Sequence, residues 1–233
     1  MLVPLAALFP AWAGPVFRYI LETGLPYTLK IAGFAVAGSA VVGILFGTLL
    51  TLRFWPLRAL LRLYIEVWRG LPLIVTLFLI VYALPQTVLH LTFQPWVGAA
   101  IGLTLWGSAQ VAEATRGAVE SIPREQHEAA EALGFGWFGT HFFVVLPQAF
   151  RRLLPPLVSL LVNVIQNTTL AALVGVTEIL FAAKQQVERL AAPPPAGLLQ
   201  QHGFAIYGAV LVFFFLISFP LTRLAAYLER RLV

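Results

Sequence analysis

The sequence predicts an all-α, polytopic membrane protein of about five transmembrane helices in a single domain over residues 1–233, amino terminus outside and carboxyl terminus inside. Three observations predict it. Of the 233 residues, 60% are hydrophobic and 11% charged, more apolar surface than one soluble core can enclose. Apolar runs long enough to cross a bilayer recur along the chain. Arginines punctuate those runs in clusters, at 53, 58 and 62, at 151 and 152, and at 223, 230 and 231, and five spans put every cluster on the inside.

The net charge of +5 would suggest nucleic acid only if basic residues gathered on a polar domain, and here topology accounts for them. Without cysteine there are no disulfides and no thiolate metal sites, and aspartate is also absent. Residues 1–22 read as an interfacial segment, because Leu2 to Phe9 lacks a basic flank and a small-residue cleavage site.

The first span runs from Leu25 to Leu52 with Lys30 its only charge, and its glycines at 33, 38, 43 and 47 suit close helix packing in lipid. The second runs from about Leu61 to Leu84 and is interrupted at Arg69-Gly70-Leu71-Pro72, a break tolerable only where protein or water re-satisfies the backbone. Arg69 there is either an arginine snorkelling or pairing with Glu66, or, with Gly70 and Pro72, part of a gate. An outside loop from Pro85 to Pro95 carries His90, with no second ligand to build a metal site.

The third span covers Trp96 to Val119 and sets Trp106, Gln110 and Glu113 on one side. An ionisable residue at such depth is a functional candidate, so Glu113 either faces a polar cavity or pairs with Arg116. The fourth, from Leu153 to about Leu170, has a polar outer half of Asn163, Gln166, Asn167, Thr168 and Thr169, read as a translocation lining in preference to helix–helix hydrogen bonding. Residues 173–181 are too short an apolar run to span, which suggests a re-entrant or interfacial piece carrying Glu178, and the last span runs from Phe204 to about Leu221.

Between the third and fourth spans, residues 120–150 form a polar cytoplasmic loop. Pro123 suits a helix's first turn, Arg124 to Leu133 are good helix formers, and Gly134 supplies a left-handed terminator. Arg124, Glu128 and Glu131 share one face, and Ala129, Ala130 and Leu133 give an apolar side of little bulk, a surface suited to docking into a groove.

Glu128-Ala129-Ala130, three residues, Gly134, nine residues, then Val144-Val145-Leu146-Pro147 resembles the EAA motif of the membrane subunits of ABC importers. Further phrases resemble the polar amino-acid uptake branch: Tyr64-Ile65-Glu66-Val67-Trp68-Arg69-Gly70-Leu71-Pro72-Leu73, Ala112-Glu113-Ala114-Thr115-Arg116-Gly117-Ala118-Val119-Glu120-Ser121-Ile122, and Asn167-Thr168-Thr169-Leu170. The likeness covers about residues 22 to 181. It departs from the family at Glu125-Gln126-His127, where Gly-Gln is usual, and at Gln166, where lysine is usual.

The resemblance implies the transmembrane domain of a type I importer in a prokaryotic plasma or inner membrane. Its loop, through Glu128, Ala129, Ala130, Gly134, Leu146 and Pro147, would dock on an ABC ATPase. A second permease subunit, a copy or a close paralogue, would complete the pathway, and an external solute-binding protein would deliver a polar amino acid. The resemblance also implies that ATP and magnesium are bound by the ATPase and that this chain needs no cofactor of its own. Consistent with that division, no Gly-x-x-x-x-Gly-Lys-Ser/Thr phosphate loop occurs here.

Two other classes fit less well. An ion-driven secondary carrier would want intramembrane carboxylates and inverted repeats, and only Glu113 is offered. An intramembrane zinc peptidase would need His-Glu-x-x-His, but Glu131 stands where the second histidine is required after His127.

Overall fold

The computed structural model describes residues 10–85, 94–190 and 198–232. Among them the chain is helix and turn. Helix α1 is Ala13–Leu49; α2 is Trp55–Gly70 and α3 Leu73–Ala83; α4 is Pro95–Glu120; the short α5 is Arg124–Ala132; α6 is Trp137–Val174; α7 is Ile179–Leu190; and α8 is Leu198–Leu232. Residues 13–22, expected in an interfacial segment, are helical and run on into the first span.

Proline sets the irregularities. Among the described residues, turns widen to π geometry at Ile20–Gly24, Leu79–Ala83 and Thr140–Val145, and each of these ends two residues before a proline, at Pro26, Pro85 and Pro147. A proline has no amide for the carbonyl four residues back and its ring crowds that carbonyl, so the ladder ahead of it reaches one residue further. Pro72 does more. Leu71 before it is extended, as a residue preceding proline prefers, and α2 and α3 meet there at 106°. The break read at residues 69–72 is therefore a sharp corner.

Among the described residues, three helices are long and apolar enough to cross a membrane, α1, α6 and the His202–Leu232 part of α8, or four if the bent pair α2–α3 is one span. At 26 residues α4 also has the length, yet its composition is more mixed. It is packed by α1, α2, α3 and α6, so its faces meet protein and need not be greasy.

The closest packing in the bundle joins α1 to α4. A Cβ added to Gly43 would sit 2.5 Å from Val111, and one on Gly47 would sit 2.4 Å from the Ala112 carbonyl oxygen and Thr115. Gly33, expected to pack likewise, has nothing within 4 Å of such a Cβ. Ile31, Ala35, Leu77, Ala99, Leu103, Val164 and Val174 form the main core around this pair.

The piece expected at residues 173–181 is not one element. The end of α6 tightens to a 3-10 helix through Thr168–Val174, Gly175 reverses the chain at φ 80°, and Tyr82 donates to the Val174 carbonyl at 2.9 Å. Glu178, fully buried, then caps α7 by accepting from the Leu180 and Phe181 amides at 2.9 and 2.7 Å. The Ile179 amide donates to Thr28 on α1 at 3.1 Å, so α7 is seated on the first span. The final helix is longer than expected, reaching from Leu198 to Leu232 through Pro220.

Candidate functional site

Two features stand out, a knuckle at one end of the bundle and a polar cavity beside it. In the knuckle, Pro123 lies one residue ahead of the first turn of α5 and caps it in an extended conformation. Arg124 and Glu128 pair at 3.1 Å, both exposed, which adds little stability. Gly134 takes φ 86°, its amide bonds the Glu131 carbonyl at 2.9 Å, and the Phe135 amide bonds Ala130 at 3.0 Å. That paired closure needs a left-handed residue, which glycine supplies without a Cβ clash.

The six residues singled out in the loop divide by role. Glu128, Ala129 and Gly134 are exposed, and Leu133 and Phe138 beside them are 79% and 69% exposed. Ala130 is buried under the helix. Leu146 is buried with Val119, Ile122, Val145 and Ala149, so it roots the loop where α4 ends and α6 begins. Pro147, exposed, follows the π turn. After Gly134 the chain runs directly into the start of α6. Gln148 donates to Gln126 at 3.1 Å, which ties α5 to that start, and Arg152 donates to the Ser121 hydroxyl at 3.2 Å, which ties the end of α4 to it.

Sequence reasoning missed the link between the knuckle and α1. His141, 6% exposed, lies 3.0 Å from the Thr51 hydroxyl and stacks on Trp137, over which Arg53 sits. The partners are 90 residues apart, and nothing local marks them.

The cavity, about 670 Å³, is lined by Arg69, Gln110, Glu113, Ser159, Thr222 and Glu229, with apolar residues including Pro155 and Leu160 between them. Arg69 donates to Gln110 at 3.2 Å, so its partner is across the bundle on α4. Glu113 both lines the cavity and accepts from Arg116 at 3.0 Å, so its two readings hold together. Arg116 in turn also pairs with Glu120. Gly70 has open space where a side chain would go, and Pro72 caps α3 at the corner.

The polar stretch of α6 lies further along. Asn163 and Gln166 are exposed; Asn163 follows Ser159 by one turn on the same face. Asn167 donates to the Asn163 carbonyl at 2.9 Å, and Gln166 donates to Ser218 on α8 at 3.0 Å, an interhelical bond. Thr168 is fully buried and its hydroxyl goes to the Ile165 carbonyl at 2.7 Å, so it faces the core and not the cavity.

In solved structures, the fold is similar to an amino acid ABC transporter chain, with a TM-score of 0.79 and 22% identity over 99% of this chain and 100% of that one. It is also similar to a chain of the inward-facing MetNI methionine ABC transporter, with a TM-score of 0.68 and 17% identity over 92% of this chain and 98% of that one. In sequence, the chain is 34% identical to the glutamine transport system permease protein GlnP of Escherichia coli over 94% of each. It is also 34% identical to the inner membrane amino-acid ABC transporter permease protein YhdY of the same organism, covering 89% of this chain but 55% of that longer relative. The probable glutamine ABC transporter permease protein GlnM of Bacillus subtilis is 30% identical over 90% of this chain and 91% of its own length. Residues 39–233 match the family described as the binding-protein-dependent transport system inner membrane component, and with a bundle of that fold and permease relatives along its length, the chain belongs to that family.

Proposed function

We propose that this chain is the permease subunit of an ATP-driven importer of polar amino acids, oriented with the amino terminus outside and the knuckle in the cytoplasm. The observation that carries the reading is the knuckle: Glu128, Ala129, Leu133 and Gly134 stand exposed on a short helix whose base is rooted through Leu146 between α4 and α6. An ABC ATPase subunit binds ATP and magnesium and receives that surface, and an external binding protein delivers the ligand. A second permease subunit, taken most simply as a copy of this chain, completes the pathway.

Closure of the ATPases displaces the loop, and the loop's root moves the adjoining ends of α4 and α6. Those helices carry Gln110, Glu113 and Ser159, so the cavity's walls shift against Arg69 on α2. Cationic, anionic and neutral polar groups together suit a zwitterion's ammonium and carboxylate. The relatives named for glutamine and amino-acid transport support that substrate class.

The test is uptake into proteoliposomes holding the permease and its ATPase, with binding protein outside, ATP inside and a panel of labelled polar amino acids. ATP-dependent accumulation of one class is the expected result. ATP-independent, sodium- or proton-driven uptake would overturn the reading. ATP hydrolysis without uptake of any amino acid would remove the substrate assignment.

A further inference from the structure

We infer that the Thr51–His141 contact is a transmission strut through which movement of the knuckle reaches α1. The inference rests on the reading of the knuckle as the ATPase-docking surface, and it assigns positioning roles to two residues that are not among the motif's defining positions. Thr51 lies in the turn that follows α1, and His141 lies in the π turn where the loop runs into α6. Their side chains meet at 3.0 Å. The Thr51 hydroxyl has one proton and gives it to the Thr48 carbonyl at 2.6 Å, so it accepts from His141, whose Nε2 carries the hydrogen. Trp137 lies parallel to the imidazole at 5.1 Å between ring centres, and the Arg53 guanidinium sits 5.6 Å from the Trp137 ring. Residues 51–53 are thus joined to residues 137–141 by a directional bond and a cation over a ring, and the stack holds the two rings that receive them together.

Apolar contact between helices is non-directional and lets them slide, whereas a hydrogen bond with a stacked ring holds distance and orientation together. What reaches α1 also reaches α4, because the Gly43 and Gly47 contacts leave no slack between them. The strut therefore lets the knuckle drive α1 and α4 as one body.

The chain has no native cysteine, so two introduced ones report cleanly. Spin labels at Leu45→Cys on α1 and Tyr227→Cys on α8, both exposed, measure the separation of these helices by dipolar coupling, with labelled chain diluted into unlabelled chain in the reconstituted permease–ATPase complex. A non-hydrolysable ATP analogue with magnesium is the probe. The unaltered strut is expected to give a nucleotide-induced distance change that is lost in Thr51→Val and in His141→Phe, which keeps a ring to stack. The double variant should lose no more than either single one. Thr51→Ser and His141→Gln, which retain an acceptor and a donor, should restore the change. ATPase co-purification should stay normal throughout, which a folding defect would not allow. A full change in Thr51→Val and His141→Phe would overturn the strut alone. No change in the parent complex would overturn the strut together with the docking reading.

Discussion

Arg69 on α2 donates through Nε to Oε1 of Gln110 on α4 at 3.2 Å, beside the corner where α2 and α3 diverge. The bond ties the broken span to the central helix at the wall of the cavity. Gln110→Leu removes the acceptor and leaves the guanidinium without it. Uptake is expected to fall about tenfold, the effect of losing a charge-assisted bond of roughly 1.4 kcal/mol, with the ATPase still bound. The check is initial uptake rate against co-purified ATPase. An unchanged rate removes the pair from the pathway.

Gly134→Val forces a β-branched residue into the left-handed region at a cost of about 1–2 kcal/mol. The knuckle stands off the bundle, so the expected loss is ATPase association with the helix content by circular dichroism intact. Glu128→Arg should act the same way by placing a second cation beside Arg124. Normal association in both variants would sink the docking role.

Gly47→Val drives a side chain into the Ala112 carbonyl and Thr115. Overpacking of about 1–3 kcal/mol should lower the melting temperature in detergent, while Gly33→Ala, with open space around it, should leave it unchanged. Equal melting of the two variants would contradict the close approach of α1 and α4.

Glu178→Ala removes both acceptors for the α7 amides and should cost about 1 kcal/mol of stability, within the range of lost helix caps. Glu178→Gln keeps one carbonyl acceptor and should fall between. Protease cleavage between α6 and α7 reads the effect, and identical cleavage in parent and Glu178→Ala would refute the cap.

Residues governed by their chain neighbours were legible in advance. Pro123 and Gly134 bound α5 as helix rules require, the break at Arg69-Gly70-Leu71-Pro72 is a real corner, and Glu113 does meet Arg116 three residues away. Partners distant in sequence were not. Arg69 has Glu66 as a candidate partner on its own helix, but it reaches Gln110, 41 residues on, and no local pattern pairs His141 with Thr51. Among the polar residues of α6, Gln166 bonds to α8 as the helix–helix reading had it, while Thr168 turns into the core.

The sequence alone determined that this is a helical membrane protein with a polar loop between two of its spans, because hydropathy, arginine placement and the spacing of Glu128, Gly134 and Pro147 are properties of the linear chain. Only the tertiary structure decided which face of each helix meets protein. A helix repeats every 3.6 residues and offers several polar faces at once, and only the neighbours packed around it select one. That selection placed Gln110 and Glu113 in a cavity, buried Thr168, and brought His141 against Thr51.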